Sequence, residues 1–189
     1  MSRRASEDIK ASQVLYEEEL VSVVFQKPLQ ATKVGDLDVP ASVEGSEAKL
    51  PLWAARVLSK EGVVKLNLEE GQDLKAGELY KLSWKEERNE LLSPLPANFY
   101  PKLRDLVESL NRSIKENPTH ATLSEQRQAY MKAKDLINCR LQKILRLSFE
   151  RNPPKAAVEL LQPEERALFE ALRSEIEEWR EKILVEESK

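Results

Sequence analysis

The stretch Thr122-Leu-Ser-Glu-Gln-Arg-Gln-Ala-Tyr-Met-Lys-Ala-Lys-Asp-Leu-Ile-Asn-Cys-Arg-Leu-Gln-Lys-Ile-Leu-Arg-Leu-Ser-Phe149 holds neither glycine nor proline and stops just short of Asn152-Pro153-Pro154. Its apolar residues recur at helical spacing, which predicts one long helix of about 30 residues. Thr122 and Glu125 have the spacing of a capping box, in which a hydroxyl and a carboxylate satisfy two otherwise orphaned amides. At about 100° per residue, Tyr130, Ala133, Leu136, Ile137, Leu141, Ile144, Leu145 and Leu147 span close to half of the circumference. One neighbouring helix covers a narrower stripe, so this helix is expected to meet two or more neighbours.

Helices flank it on both sides. Asn98 can cap a segment that places Phe99, Leu103, Leu106, Leu110 and Ile114 on one stripe and closes at Asn117-Pro118. Downstream, Pro163-Glu-Glu165 suits the positive amino-terminal end of a last helix, with Leu168, Leu172, Ile176, Trp179 and Ile183 along its apolar side. Further upstream the character changes. Leu20-Val-Ser-Val-Val-Phe25 is β-rich, Gln30 to Val34 is a second short candidate, Gly35-Asp36 marks a turn, and Val63 to Leu66 follows Gly62 as another strand. Between them Pro51 opens a short helix through Leu58. Residues Ser6 to Leu20 read as a weakly amphipathic helix. The expected fold class is therefore α+β: a small amino-terminal β-rich module followed by a carboxy-terminal antiparallel helical bundle. The expected division is an α+β module at 1–67, a linker with a helical segment at 68–96 and the bundle at 97–189, because Ser93-Pro94-Leu95-Pro96 interrupts any helix.

The inventory excludes several kinds of chemistry. Cys139 and His120 are the only residues of their types, so one chain can assemble neither a disulfide framework nor a Cys/His zinc site, and a reducing intracellular compartment fits. His120, just after Asn117-Pro118, reads as an exposed turn residue. The five glycines are scattered and write no phosphate-cradling loop, and no cofactor is implied. Glu17-Glu18-Glu19 and Glu86-Glu87 read as solvated faces. A formal charge of -3 provides no field that would draw the chain onto phosphates or an anionic bilayer. The amino terminus lacks the apolar core of a secretory signal, and no apolar run approaches the roughly 20 residues of a membrane helix, so a soluble protein is expected.

Two side chains of the long helix stand out. Cys139 falls on the polar side, where a bystander role is the expectation. Arg140 projects inside the apolar arc, where its guanidinium either snorkels outward or forms a fixed ion pair, within the bundle or across a subunit interface. Lys132, Lys134, Lys143, Arg146 and Arg151 are spread around the helix and interleaved with acids, which reads as a solvated face rather than a nucleic-acid groove.

Two stretches resemble the GINS family of replication proteins. Leu50-Pro51-Leu52-Trp53-Ala54 followed by Gly62-Val-Val-Lys-Leu66 is similar to the small β domain of the "partner of Sld five" subunits, in which a helix carrying Leu52 and Trp53 packs on the strands. Ser93-Pro94-Leu95-Pro96-Ala97-Asn98-Phe99-Tyr100, with Asp135-Leu136, Arg140 and Lys143 to Leu147 downstream, is similar to the family's helical domain. The likeness extends over residues 20 to 183, and a β module ahead of the helical domain resembles the archaeal two-three class and the second eukaryotic partner subunit. The carboxy-terminal helix and the Ser6 to Leu20 leader depart from that pattern.

The resemblance implies a non-catalytic scaffold subunit of a 2:2 heterotetramer with a paralogous subunit. It further implies bridging of the MCM replicative helicase to a RecJ-like nuclease relative and sometimes to primase. Such a protein would work at the replication fork, in the cytoplasm of an archaeon or the nucleus of a eukaryote, with no membrane contact and with DNA contact at most indirect or weak. One sector of the long helix would then close the chain's own core and another would seal against a sister subunit. Candidate interface or core residues are Phe99, Tyr100, Tyr130, Ile137, Arg140, Leu141, Ile144 and Trp179. The alternative is a helical adaptor with its own weak nucleic-acid binding.

Overall fold

A computed structural model of the protein describes residues 3–67 and 73–184. The fold is α+β, a small antiparallel β region followed by a helical bundle. The chain divides into two compact units, one comprising Gln13–Asp73 and the other Leu74–Lys189 together with Met1–Ser12. The first helix, α1 (Arg3–Glu17), thus contributes its opening turns to the second unit and its last turn to the first.

In the β unit, β1 (Leu20–Phe25) is the central strand of three. It alternates as a half-buried strand should, with Val21, Val23 and Phe25 buried. The short β2 (Thr32–Val34) and β3 (Leu37–Val39) pair as a hairpin around Gly35-Asp36. Gly35 has a φ of 60°, which a two-residue hairpin of this kind demands at its first central position. A Cβ there would also stand 3.3 Å from the Trp53 ring. The edge strand β4 (Glu47–Pro51) and β5 (Val64–Leu66) both pair antiparallel with β1. Helix α2 (Leu52–Lys60) begins directly after Pro51 and buries Leu52, Ala54, Ala55 and Leu58, while Trp53 stays half-buried. Gly62, with a φ of 66°, ends it in the left-handed conformation that glycine adopts without strain. Tyr16, Val23, Phe25, Val39, Leu50 and Leu58 share this unit's core.

The helical unit contains α3 (Ala76–Arg88), α4 (Phe99–Glu116), α5 (His120–Phe149), a single turn α6 (Lys155–Glu159) and α7 (Pro163–Ile183). Helix α5 is its axis and packs on α3, α4 and α7. Two cores line it. Leu74, Leu79, Phe99, Leu103, Leu106, Ala129, Ala133 and Leu136 form one, and Leu92, Ile144, Leu147, Leu161 and Phe169 form the other.

Two helix starts differ from the expected ones. The α5 cap is Thr119, whose hydroxyl accepts from the Thr122 amide while the Thr122 hydroxyl accepts from the Thr119 amide. Thr122 is therefore the third residue of the cap and not its first, and His120 is helical rather than in a turn. Asn98 precedes α4 in the left-handed conformation with a φ of 55°, and its side chain does not cap the helix. The apolar side of α7 is also rotated at its start: Ala167 and Phe169 are buried there, with Leu168 half-buried.

Candidate interaction site on the helical unit

Residues 129, 133, 136, 140, 144 and 147 follow one another at steps of three and four along α5, and all six are buried. Arg140 is the one charged member, so the helix carries its guanidinium into the core together with the leucines. It does not snorkel. All five of its N–H groups are used: Nε and Nη2 donate to the two carboxylate oxygens of Glu165, Nη1 to Glu86 Oε2 at 3.0 Å and to the Ser93 carbonyl at 2.8 Å, and Nη2 also to the Leu160 carbonyl at 3.3 Å.

The acceptors are equally saturated. Glu86, fully buried on α3, also takes Lys143 Nζ at 2.6 Å and the Ser93 amide at 2.9 Å. Glu165 takes the Tyr100 hydroxyl at 2.7 Å and the Gln162 amide at 2.9 Å. The last of these bonds belongs to the α7 capping box, so Glu165 starts its own helix and holds Arg140 with the same carboxylate. Two cations face two carboxylates, so the cluster is neutral overall. Burial opposes the charge on Arg140, but Glu165 and then Glu86 outweigh it and hold its pKa above the ordinary value. Burial, then the charge of Glu165 and the bond to it, pushes the Tyr100 phenol well above its ordinary range.

The cluster joins α5 to α3, to the loop at Ser93, to the end of α6 and to the start of α7. Sequence reasoning placed Glu86 on a solvated face, and the structure corrects this, since Glu86 is buried and only Glu87 is exposed. A signal existed, for Glu86 lies three residues after buried Ser83 and seven after buried Leu79, on the inward side of α3.

Beside the cluster lies a cavity of about 300 Å³ lined by Ile9, Tyr100, Ile137, Leu141, Ile144, Glu164, Glu165 and Leu168. Its walls are apolar apart from the two carboxylates and the phenol. Glu165 is saturated as described, whereas Glu164 Oε2 is buried and has no hydrogen-bond partner among the described residues.

This bundle matches a family model, described as the GINS complex protein helical bundle domain, over residues 73–184, more than half of the chain. The chain belongs to the GINS family. No curated protein matches it. GINS proteins form a non-catalytic scaffold family of the DNA replication complex and associate with other GINS subunits.

Within the GINS helical domain the residues singled out from the sequence fall into two groups. Phe99, Arg140 and Ile144 are buried, and Tyr100 packs edge-on against Phe99 with ring centres 5.3 Å apart. Tyr130 is 58% exposed, Ile137 38%, Leu141 36% and Trp179 63%. On the α5 projection Tyr130, Ile137 and Leu141 lie side by side, about 60–100° around from Arg140. They form an apolar arc next to the buried stripe. Ile137 and Leu141 are also the outer wall of the cavity. Cys139 is half-buried, its thiol donating to the Glu86 carbonyl at 3.6 Å. Lys132 pairs with Glu87 and Asp135. Among the described residues no group of acids, histidine and cysteine is placed to hold a metal ion, and no helix is long and apolar enough to cross a membrane.

Proposed function

We propose that the chain is a non-catalytic scaffold subunit of the GINS complex, of the archaeal two-three class, and that it bridges the MCM helicase to a RecJ-like partner, and in some settings to primase, at the replication fork. The placement of a β unit ahead of the helical domain supports the class. The observation that carries the scaffold reading is the arc of Tyr130, Ile137 and Leu141, which the chain's own fold leaves exposed on the helical domain of a family that works in assemblies.

Three neighbouring apolar side chains on the longest helix are poorly placed for solubility and well placed as the centre of an interface. The arc would seal against the paralogous subunit in a 2:2 tetramer, an obligate contact of roughly 2,000 Å² or more. The chain then acts in the archaeal cytoplasm or the eukaryotic nucleus and touches DNA at most weakly.

Light scattering on the full chain mixed with its paralogue tests this. A four-chain particle that retains MCM and the RecJ-like protein on a column is the expected result. A monomer that ignores the paralogue and binds DNA with steep salt dependence would establish the adaptor alternative instead.

A further inference from the structure

Helix α3 turns Leu79, Ser83 and Glu86 inward. At about 100° per residue, Lys81, Trp84, Lys85 and Arg88 fall on the opposite side, within one arc about 100° wide. All four are exposed, Trp84 with 56% of its surface in solvent. The Arg88 guanidinium lies over the Trp84 ring, 4.2 Å from its centre. None of the three cations forms an ion pair among the described residues. Of the acids of α3, Glu78 stands at the edge of the arc, Glu86 is buried in the Arg140 cluster, and Glu87 is held by Ser83 and Lys132. A chain with a formal charge of -3 thus presents a locally positive strip with an aromatic ring in its middle.

We infer that this strip takes a single strand of nucleic acid, with Lys81, Lys85 and Arg88 on its phosphates and an unpaired base stacked on Trp84. The charges call for a polyanion, and the ring selects among polyanions. An acidic protein segment matches the three cations but brings no flat surface to the indole. A duplex brings phosphates but keeps its bases paired and stacked on one another. An unstacked base offers a π-face whatever its identity, so the contact is tolerant of sequence, and the Arg88 guanidinium adds a second planar group beside the ring. Three phosphate contacts make a weak interaction, in keeping with a scaffold that touches DNA at most weakly. The strip lies on α3 and the apolar arc on α5, so the inference stands or falls apart from the interface reading.

The test is the fluorescence anisotropy of a labelled oligo(dT) strand titrated with the full chain over a range of salt concentrations. Three phosphate contacts on a single strand give a slope of log affinity against log salt of about -2. Lys81→Gln with Lys85→Gln leaves Arg88 alone and is expected to bring the slope to about -0.7. Trp84→Ala is expected to weaken binding about 10-fold with little change of slope, and Trp84→Phe, which keeps a ring, to retain most of the affinity. All of these side chains are exposed, so the melting temperatures of the variants are expected to match wild type. No binding of the strand, or binding as tight by Trp84→Ala as by wild type, overturns the inference.

Competition separates nucleic acid from an acidic protein segment. Unlabelled oligo(dT) is expected to displace the labelled strand at a lower concentration of charge than poly-glutamate does, and Trp84→Ala is expected to remove that preference. Poly-glutamate competing as well as oligo(dT) against the wild-type chain would make the strip a seat for acidic protein and overturn the inference. Assembly with the paralogue, read by light scattering, is expected to be the same for wild type and for Lys81→Gln with Lys85→Gln. Loss of assembly in that variant would place the strip in a subunit contact and overturn the inference as well, while failure of wild type to assemble sinks the interface reading alone.

Discussion

Arg140 shows what a single side chain contributes here. Moving a guanidinium and two carboxylates out of water costs several kcal/mol per ion, and only full hydrogen bonding offsets it. Removing one member is therefore worse than never having had the set. Arg140→Leu leaves Glu165 without its counter-ion and Glu86 with Lys143 alone. It is expected to destabilise the helical unit by about 3–5 kcal/mol in denaturant unfolding. Lys132→Ala, which removes an exposed and solvent-screened pair with Glu87 and Asp135, is expected to leave the unfolding midpoint almost unchanged. Equal shifts for the two would mean that the cluster does not hold the bundle.

Tyr100 adds a dependence on pH. Its phenol is raised in the folded state, so the neutral form is the one folding prefers, and the associated stability is intact below the unfolded value of about 10. It is lost as pH climbs above that value. The wild-type melting temperature is expected to fall steeply beyond about pH 10 and that of Tyr100→Phe less so. At neutral pH the variant is the weaker protein, by the roughly 1.5–3 kcal/mol of a hydrogen bond to a carboxylate. Parallel alkaline limbs for the two proteins would contradict this assignment.

At the scale of elements, legibility followed the strength of the local pattern. Helix α5 was readable because nothing breaks its periodicity between Thr122 and Phe149, and β1 because Leu20 to Phe25 is almost entirely β-favouring. Strand β4 escaped notice: Glu47-Ala-Lys-Leu-Pro51 is polar and ends in proline, which an edge strand tolerates and a central one does not. The single turn of α6 is too short to show a period. Caps were misread by three residues on α5 because two threonines, 119 and 122, both suit the position, and the choice between them depends on where Asn117-Pro118 releases the chain. The candidate site was half legible. Arg140's place in the apolar arc follows from helical geometry alone, but its partners come from α3 and α7, at sequence separations of 54 and 25 residues, where no local rule reaches.

For the molecule as a whole, the question is what becomes of the arc when no partner is present. Tyr130, Ile137 and Leu141 are exposed together on one helix, with Trp179 and Ile183 also exposed on α7. A formal charge of -3 is modest repulsion for a chain of 189 residues, so little opposes contact between such surfaces on two copies. The isolated chain is expected to self-associate as its concentration rises, visible as an increasing mass by light scattering. Ile137→Glu with Leu141→Glu should restore a single mass. Both side chains also wall the cavity beside Glu164 and Glu165, so the helical content and melting temperature of the double variant are measured first, and its assembly is compared at a temperature where it is fully folded. The same variant should fail to enter the complex with the paralogue. If it assembled as wild type does, the apolar arc would be an ordinary solvated surface, and the contacts between GINS subunits would have to be sought on another face of this bundle.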